Sequence, residues 1–338
     1  MPLERYDADD TASVDAAVTV LNAVRREETP WQPPVTAYRQ AMRVRHSWDG
    51  TPVHHFVLRE EGLPVVVAQL ELPTWDNQDF AWFYIDVHPD HRRRGHGRQV
   101  LAHLEELAVA AGCTKIGSAG WDLPTTRAYA DALGFVRGSE EVYRVQHPQE
   151  LPAGLAEEAV AEASAAAADY ELVRWTGRTP PELVDQVVTL AEAINDAPMG
   201  DLEVEDEVFN PERIAAYETS TLDSGHRLYR VMARHRATGE PAGHTVVAVD
   251  TDRPELAHQH DTSVVRAHRG HRLGLLLKAE MMRWLALEEP AIEQLDTWNA
   301  EANDHMIAFN ERLGYRVMGR ELEFQKRLEQ AASSGAAG

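Results

Sequence analysis

The residues of this chain with the clearest chemistry lie in one turn. His91–Leu101 reads HRRRGHGRQVL and follows the aromatic, strand-like segment FAWFYIDV at 80–87. A helix N-terminus offers unpaired backbone N–H groups and the positive end of the helix dipole. Glycine there lets a ligand approach without a Cβ in the way. Gly95 and Gly97 are placed for this, His96 lies between them, and Arg92, Arg93, Arg94 and Arg98 add guanidinium groups suited to phosphate oxygens. The chemistry is phosphate binding.

The turn needs a strand before it and a helix after it. Val100, Leu104, Leu107 and Ala111 recur at helical spacing, so the turn opens an amphipathic helix. An altered copy lies 177 residues on, in VVRAHRGHRLGLLLK, with its own stripe of Leu277, Met281, Trp284 and Leu285. Later segments repeat as well: TTRAYADALGFVRG matches NDHMIAFNERLGYRVMG, with Gly134 and Gly314 180 residues apart. A two-copy repeat of this length implies duplicated domains. The expected order in the first half is a strand at LERYDA, a helix through VDAAVTVLNAVRREE, two strands around a Glu-Gly turn and the strand AWFYIDV. The second half runs YELVRWTG, PPELVDQVVTLAEAIND and a hairpin-like pair in HRLYRVMARHRATGEPAGHTVVAV. This predicts domains at 1–148 and 169–328, a partly helical Ala/Glu-rich linker at 149–168 and a flexible tail at 329–338.

Bulk composition narrows the classes of function. The apolar fraction of 43% and charged fraction of 26% are those of a globular protein. The N-terminus is not a signal peptide and no apolar run approaches membrane-spanning length, so the expectation is a cytoplasmic protein. Cys113 is the single cysteine, read as a small buried hydrophobe. A net charge of −22 argues against nucleic acid as a partner, and reads either as a solvated acidic surface or as a field that favours cationic substrates. The dinucleotide fingerprint G-x-G-x-x-G and the P-loop are both absent from the turn. The histidines at 88, 91 and 96, and those at 258, 260, 268 and 271, read as loop and surface groups, so no metal is expected.

Val87-His-Pro-Asp-His-Arg-Arg-Arg-Gly-His-Gly, followed by helix, strand, helix and LGF, resembles the GCN5-related N-acetyltransferase (GNAT) superfamily. The second half resembles another member, so the chain looks like a tandem GNAT protein. The resemblance implies an α/β (α+β) fold of two tandem domains, each a mixed splayed sheet flanked by helices. It implies acetyl-coenzyme A as cosubstrate, its pantetheine arm along Ile85, Asp86 and Val87 and its pyrophosphate on Arg92–Arg98. In the second half the equivalent positions are Val264, Val265, Arg269, Arg272, Leu273 and Gly274. There the inner glycine of the pattern is replaced by Arg272, whose side chain must turn away or join the phosphate. Asn303, eleven residues before Gly314, matches a family asparagine near the pantetheine; the first half has Leu123 at that place.

Acetyl transfer to an amine needs a base, an oxyanion donor and a proton for the leaving thiolate. Glu71, Tyr84 and Asp86 are base candidates in the first half, and Asp261 is their counterpart in the second. The family's tyrosine acid, four residues before the LGF glycine, falls on Ala130 and Asn310; Tyr129, one residue earlier, is the substitute candidate. The expected activity is acetylation of a primary amine of a small molecule by direct attack in a ternary complex. The alternative is a noncatalytic acyl-CoA or small-molecule binder. The acidic run DLEVEDE at 201–207 reads as a solvated loop or as a border of the amine site.

Overall fold

A computed structural model of the chain describes residues 3–196 and 200–329, with backbone only at 304 and 305. Of the expected tail, 330–338 lie outside the described residues. The first half runs β1 (Leu3–Tyr6), α1 (Thr11–Glu28), α2 (Ala37–Arg45), β2 (Val53–Glu60), β3 (Leu63–Glu71), β4 (Phe80–Val87), α3 (His96–Ala110), β5 (Lys115–Trp121), α4 (Pro124–Ala132) and β6 (Val136–Gln146). After α5 (Leu155–Ser164) the order repeats: β7 (Tyr170–Thr176), α6 (Val184–Glu192), α7 (Pro211–Asp223), β8 (His226–His235), β9 (Pro241–Asp250), β10 (Leu256–Val264), α8 (Leu273–Glu288), β11 (Gln294–Ala300), α9 (Asp304–Arg312) and β12 (Arg316–Arg327). Each predicted strand and helix is found. Helices α2 and α7 come in addition, each opened by a side-chain cap, Thr36 on the Arg39 N–H and Asn210 on the Arg213 N–H. No helix among the described residues is long and apolar enough to cross a membrane.

The two expected sheets are wings of one twelve-stranded sheet, ordered β1-β2-β3-β4-β5-β12-β6-β11-β10-β9-β8-β7. Each half gives its last strand to the other: β12 pairs with β5, and β6 pairs with β11. Leu322 and Phe324 of β12 accordingly complete the first half's core, beside Phe83, Leu101 and Leu104. The segment predicted as a linker also belongs to a core. Ala159 and Ala163 of α5 are fully buried in the cluster that includes Leu277 and Met281 of α8. That cover explains why α8 is buried on nearly all sides from Leu273 to Met281, whereas α3 buries one stripe, Val100, Leu101, Leu104 and Ala108. The stripe ends at Ala108 rather than Ala111, which sits beyond the last turn as the C-cap. Ion pairs tie the halves together: Arg213 reaches Asp49 at 2.9 Å and Asp76 at 2.6 Å, and Arg39 reaches Asp250 at 2.9 Å.

Candidate active site

In each half two parallel strands separate partway along. β4 pairs with β5 only from Phe80 to Phe83, opposite Lys115 to Ser118, so Tyr84–Val87 face an opening on that side. β10 pairs with β11 only over Leu256–His258, and a bulge between Gln259 and Thr262 bends it further away. Beyond each free strand end a 3-10 turn leads into a helix, α3 or α8. Gly95, with φ +90°, caps α3 without any side-chain bond, so the first N–H groups of the helix remain available.

A cavity of about 1190 Å³ fills the first half's opening, running from this turn across the sheet to α1 and α2. Tyr84, Ile85, Asp86 and Val87 line it, as do His96 and Gly97. The turn's four arginines divide. Arg92 is held structurally, donating from Nε to the Val87 carbonyl at 3.1 Å and pairing with Glu28 at 2.7 Å. Arg94 points elsewhere, to Glu60 at 3.2 Å and the Asp90 carbonyl. Arg93 and Arg98 are the exposed guanidinium groups on the cavity wall. A Cβ on Gly97 would lie 3.3 Å from the Tyr129 ring and 3.5 Å from Val87, so the glycine keeps a narrow passage clear. The residues present therefore fit a phosphate with a thin chain behind it.

The base candidates also divide. Glu71 ends β3 opposite Trp82 and is not part of the cavity wall. Tyr84 and Asp86 are. Burial first, and then the neighbouring Glu28, push Asp86 up to about 6, against the pull of Arg43, Arg25 and Arg92. Burial also raises Tyr84 and Tyr129. The Tyr129 hydroxyl donates to the Gly97 carbonyl at 3.3 Å, so its ring lies over the turn.

The second half has the same opening with different contents. Arg272 turns away from the cleft and pairs with Glu162 of α5 at 2.8 Å. The Phe309 ring lies over Gly274, where a Cβ would come within 2.8 Å of it. Buried Lys278 donates to Asn310 Oδ1 at 2.6 Å, Asn310 donates to Asn299 Oδ1 at 3.0 Å, and Arg144 donates to the same oxygen at 2.8 Å. By the repeat, Leu101, Ala130 and Gly120 occupy the places of Lys278, Asn310 and Asn299, and Ala130 and Gly120 line the first half's cavity. Arg269 repeats Arg92, reaching the Val264 carbonyl at 3.2 Å and Asp196 at 2.8 Å. Leu273 is buried at the first position of α8, and Val265 packs in a small cluster with Leu190. Asn303 caps α9, accepting from the Met306 N–H at 3.2 Å, so its side chain serves the helix. Asp261 bonds His244, which in turn meets Arg230 at 3.0 Å.

Three further cavity residues, Glu141, Glu321 and Glu323, carry no local motif, because they come together only through the exchanged strands. Alternation in RELEFQK put Glu321 and Glu323 on one face and was the available signal. The acidic run 201–207 lies along the first half outside the cavity, its backbone bonded to Lys115, Gln325 and Asn77. Among the described residues two His/carboxylate groupings converge, Glu60–His91–His96 and His226–Asp250–His258, so His96, which is buried, and His258, which lies on β10, are not the loop and surface groups expected; in each grouping a guanidinium already holds the carboxylate.

The model of the acetyltransferase (GNAT) family matches residues 21–135 and 192–315. Over its whole length the chain is similar to a solved tandem GNAT protein from the clavulanic acid biosynthesis pathway: 28% identity, TM-score 0.79, covering 98% of this chain and 100% of that one. A GCN5-related N-acetyltransferase from Sphaerobacter thermophilus shares the fold at 14% identity and TM-score 0.66, covering 97% and 96%. Two curated relatives are mycothiol acetyltransferases. That of Stackebrandtia nassauensis is 38% identical over 99 residues, 28% of this chain and 31% of the relative. That of Kineococcus radiotolerans is 38% identical over 114 residues, 33% and 35%. The match thus spans about a third of each curated relative.

Proposed function

Because the chain belongs to the acetyltransferase (GNAT) family, with two tandem repeats, we propose that its first half moves an acetyl group from acetyl-coenzyme A to a primary amine of a small molecule, and that its second half binds no cosubstrate. The reading rests on one observation: the glycine turn with exposed Arg93 and Arg98 opens into a cavity, while the repeated position is occupied by Asn310, Asn299 and Lys278. Acetyl-coenzyme A, when bound, supplies the thioester that the amine attacks. Arg93, Arg98 and the first N–H groups of α3 hold the pyrophosphate. The unpaired edge of Tyr84–Val87 binds the pantetheine amides and supplies an N–H for the oxyanion. Asp86 takes the proton from the attacking ammonium. An alkyl ammonium titrates near 10.4, so a carboxylate held near 6 is a better acceptor than an ordinary one.

Ala130 offers no proton to the leaving thiolate, and that favours a second reading, a noncatalytic acyl-CoA binder. Calorimetric titration with acetyl-coenzyme A, paired with thiol release over a panel of amines that includes a mycothiol-type acceptor, separates the two. The expected result is one binding site and amine-dependent release, both lost in Gly97→Glu, which puts bulk and negative charge into the passage. Binding without release on any amine would select the binder. Two sites, or one that survives Gly97→Glu, would move cosubstrate binding into the second half.

A further inference from the structure

One wall of the first half's cavity exceeds what a single amine requires. β12 runs between β5 and β6 at the junction of the two halves, and Glu321 stands directly opposite Glu141 in that ladder. These two are 180 residues apart, the offset of Gly134 and Gly314, so they are the same position of the repeat meeting itself. Glu323 projects two residues further along the same strand, and all three line the cavity. Like charges directly opposed across a ladder destabilise a sheet. An edge strand can shed that cost into solvent, but β12 and β6 are interior strands.

Among the described residues no cation is paired with this wall. Among the described residues Glu141 and Glu321 have no hydrogen-bond or ion-pair partner, and Glu323 accepts only the Ser139 hydroxyl. Burial, followed by repulsion from Glu323 and Glu321, pushes Glu141 up to about 8 against Arg144, and burial, followed by repulsion from Glu323 and Asp86, pushes Glu321 up to about 7 against Arg43. Two guanidinium groups pull on it from a distance without pairing: Arg144, which bonds Asn299, acts on Glu141, and Arg43 of α2 acts on both Glu321 and Asp86. Two indoles complete the wall. Trp121 and Trp298 both line the cavity with ring centroids 5.4 Å apart, and Trp298 is 39% exposed. Carboxylates beside indole faces suit an ammonium or guanidinium group.

We propose that Glu141, Glu321, Glu323 and the Trp121–Trp298 pair form a subsite for a second cationic centre, so that the acceptor is an aliphatic di- or polyamine or an amine bearing a guanidinium. One amine meets Asp86 at the splayed strand and the distal cation lies between Glu141 and Glu321. The inference rests on the amine-acetylation reading above and names its acceptor class. It also gives the second half a part in the site, since β12 and Trp298 come from it.

The test compares three ligands of one chain length on protein saturated with coenzyme A at pH 7: 1,4-diaminobutane, 1-aminobutane and 4-aminobutanoate. Calorimetry should show the diamine tighter than the monoamine by about tenfold or more, the worth of a charge-assisted bond in a desolvated site. 4-Aminobutanoate should be the weakest. Buffers of different ionisation enthalpy should report proton release on diamine binding, as the bound cation ionises carboxyls that burial and repulsion had kept protonated. Glu321→Gln and Glu141→Gln should erase the diamine preference while acetyl-coenzyme A titrates as in the parent. Equal affinities, tightest binding of 4-aminobutanoate to Arg43 and Arg25, or no amine binding on a protein that binds acetyl-coenzyme A would each overturn the subsite. A protein that prefers the diamine yet binds no acetyl-coenzyme A would keep the subsite and refute the transferase reading.

Discussion

The turn His88–Gly97 and its repeat Val265–Gly274 follow one backbone path with exchanged residues. The left-handed positions are Arg93 (φ +62°) and Gly95 (φ +90°) in the first, Gly270 (φ +87°) and Arg272 (φ +55°) in the second. Arginine and glycine have traded places while both positions stay left-handed. In both halves an arginine side chain ties the turn to the end of its strand, and an aromatic ring, Tyr129 or Phe309, covers the glycine of the helix. The halves part company behind the turn, at Leu101, Ala130 and Gly120 against Lys278, Asn310 and Asn299. The turn is therefore kept in both halves while the residues behind it differ, small and apolar in one and polar and hydrogen-bonded in the other.

Breaking the polar filling should have the largest effect on stability. Asn310→Ala leaves Lys278 Nζ without its oxygen in a fully buried place, at a cost of about 3 kcal/mol in urea unfolding. The double variant Asn310→Ala/Lys278→Leu restores the pairing of the first half and should recover much of the loss, because both polar partners leave together. Burial lowers Lys278 to about 7, with Arg144 adding to it. The folded pKa lies below the unfolded one, so this group's contribution to stability grows as pH rises from about 7 towards 10.5. The penalty in Asn310→Ala should accordingly be larger at pH 6 than at pH 9. A second acetyl-coenzyme A site in either variant would show that the filling alone silences this half.

The acidic wall should respond to pH with the opposite sign. Glu141 titrates near 8 in the folded chain against about 4.5 unfolded, so stability is lost as pH rises from about 4.5 through 8 and stays lost above. Glu141→Gln removes that loss. Its melting temperature should exceed the parent's by about 2–4 °C at pH 9, the shift that about 1 kcal/mol makes in a large domain, and match it near pH 5. A variant less stable than the parent at pH 9 would mean that Glu141 is neutralised by a contact within the protein. The wall would then be structural.

How much of this was legible in the sequence follows from the range of each interaction. The turn, the strand before it and the helix after it are local, and their periodicity displays them. The repeat is legible because it preserves spacing, as Gly134 and Gly314 do. Strand exchange is not legible, since β5-β12 and β6-β11 pairing leaves the order of elements along the chain unchanged. Everything that depends on the exchange was hidden with it, including the meeting of Glu141 with Glu321. The ends of side chains were hidden too. Arg94 and Arg98 look alike in the sequence, yet one pairs with Glu60 and the other faces the cavity. Asn303 sits at the family position but is used by the helix it caps. Glu71 alternates correctly on β3 and still ends outside the wall, because the cavity opens further along β4.

The smallest expected effect settles which feature separates the two halves. Arg272→Gly gives the second turn two glycines at its left-handed positions and removes the side chain from α8's N-terminus. A non-glycine residue in that conformation costs about 1 kcal/mol, so the change relieves strain. Against this stand the half-exposed pair with Glu162, worth at most about 0.5 kcal/mol, and the greater freedom of glycine in the unfolded chain, worth about 0.5–1 kcal/mol. The terms nearly cancel, and urea unfolding should place the variant within about 0.5 kcal/mol of the parent. Acetyl-coenzyme A stoichiometry should remain one, because Lys278, Asn310 and Asn299 still stand where the first half has Leu101, Ala130 and Gly120. A stoichiometry of two would locate the difference in the turn, and the buried network would then be tolerated by, rather than exclusive of, a bound pantetheine arm.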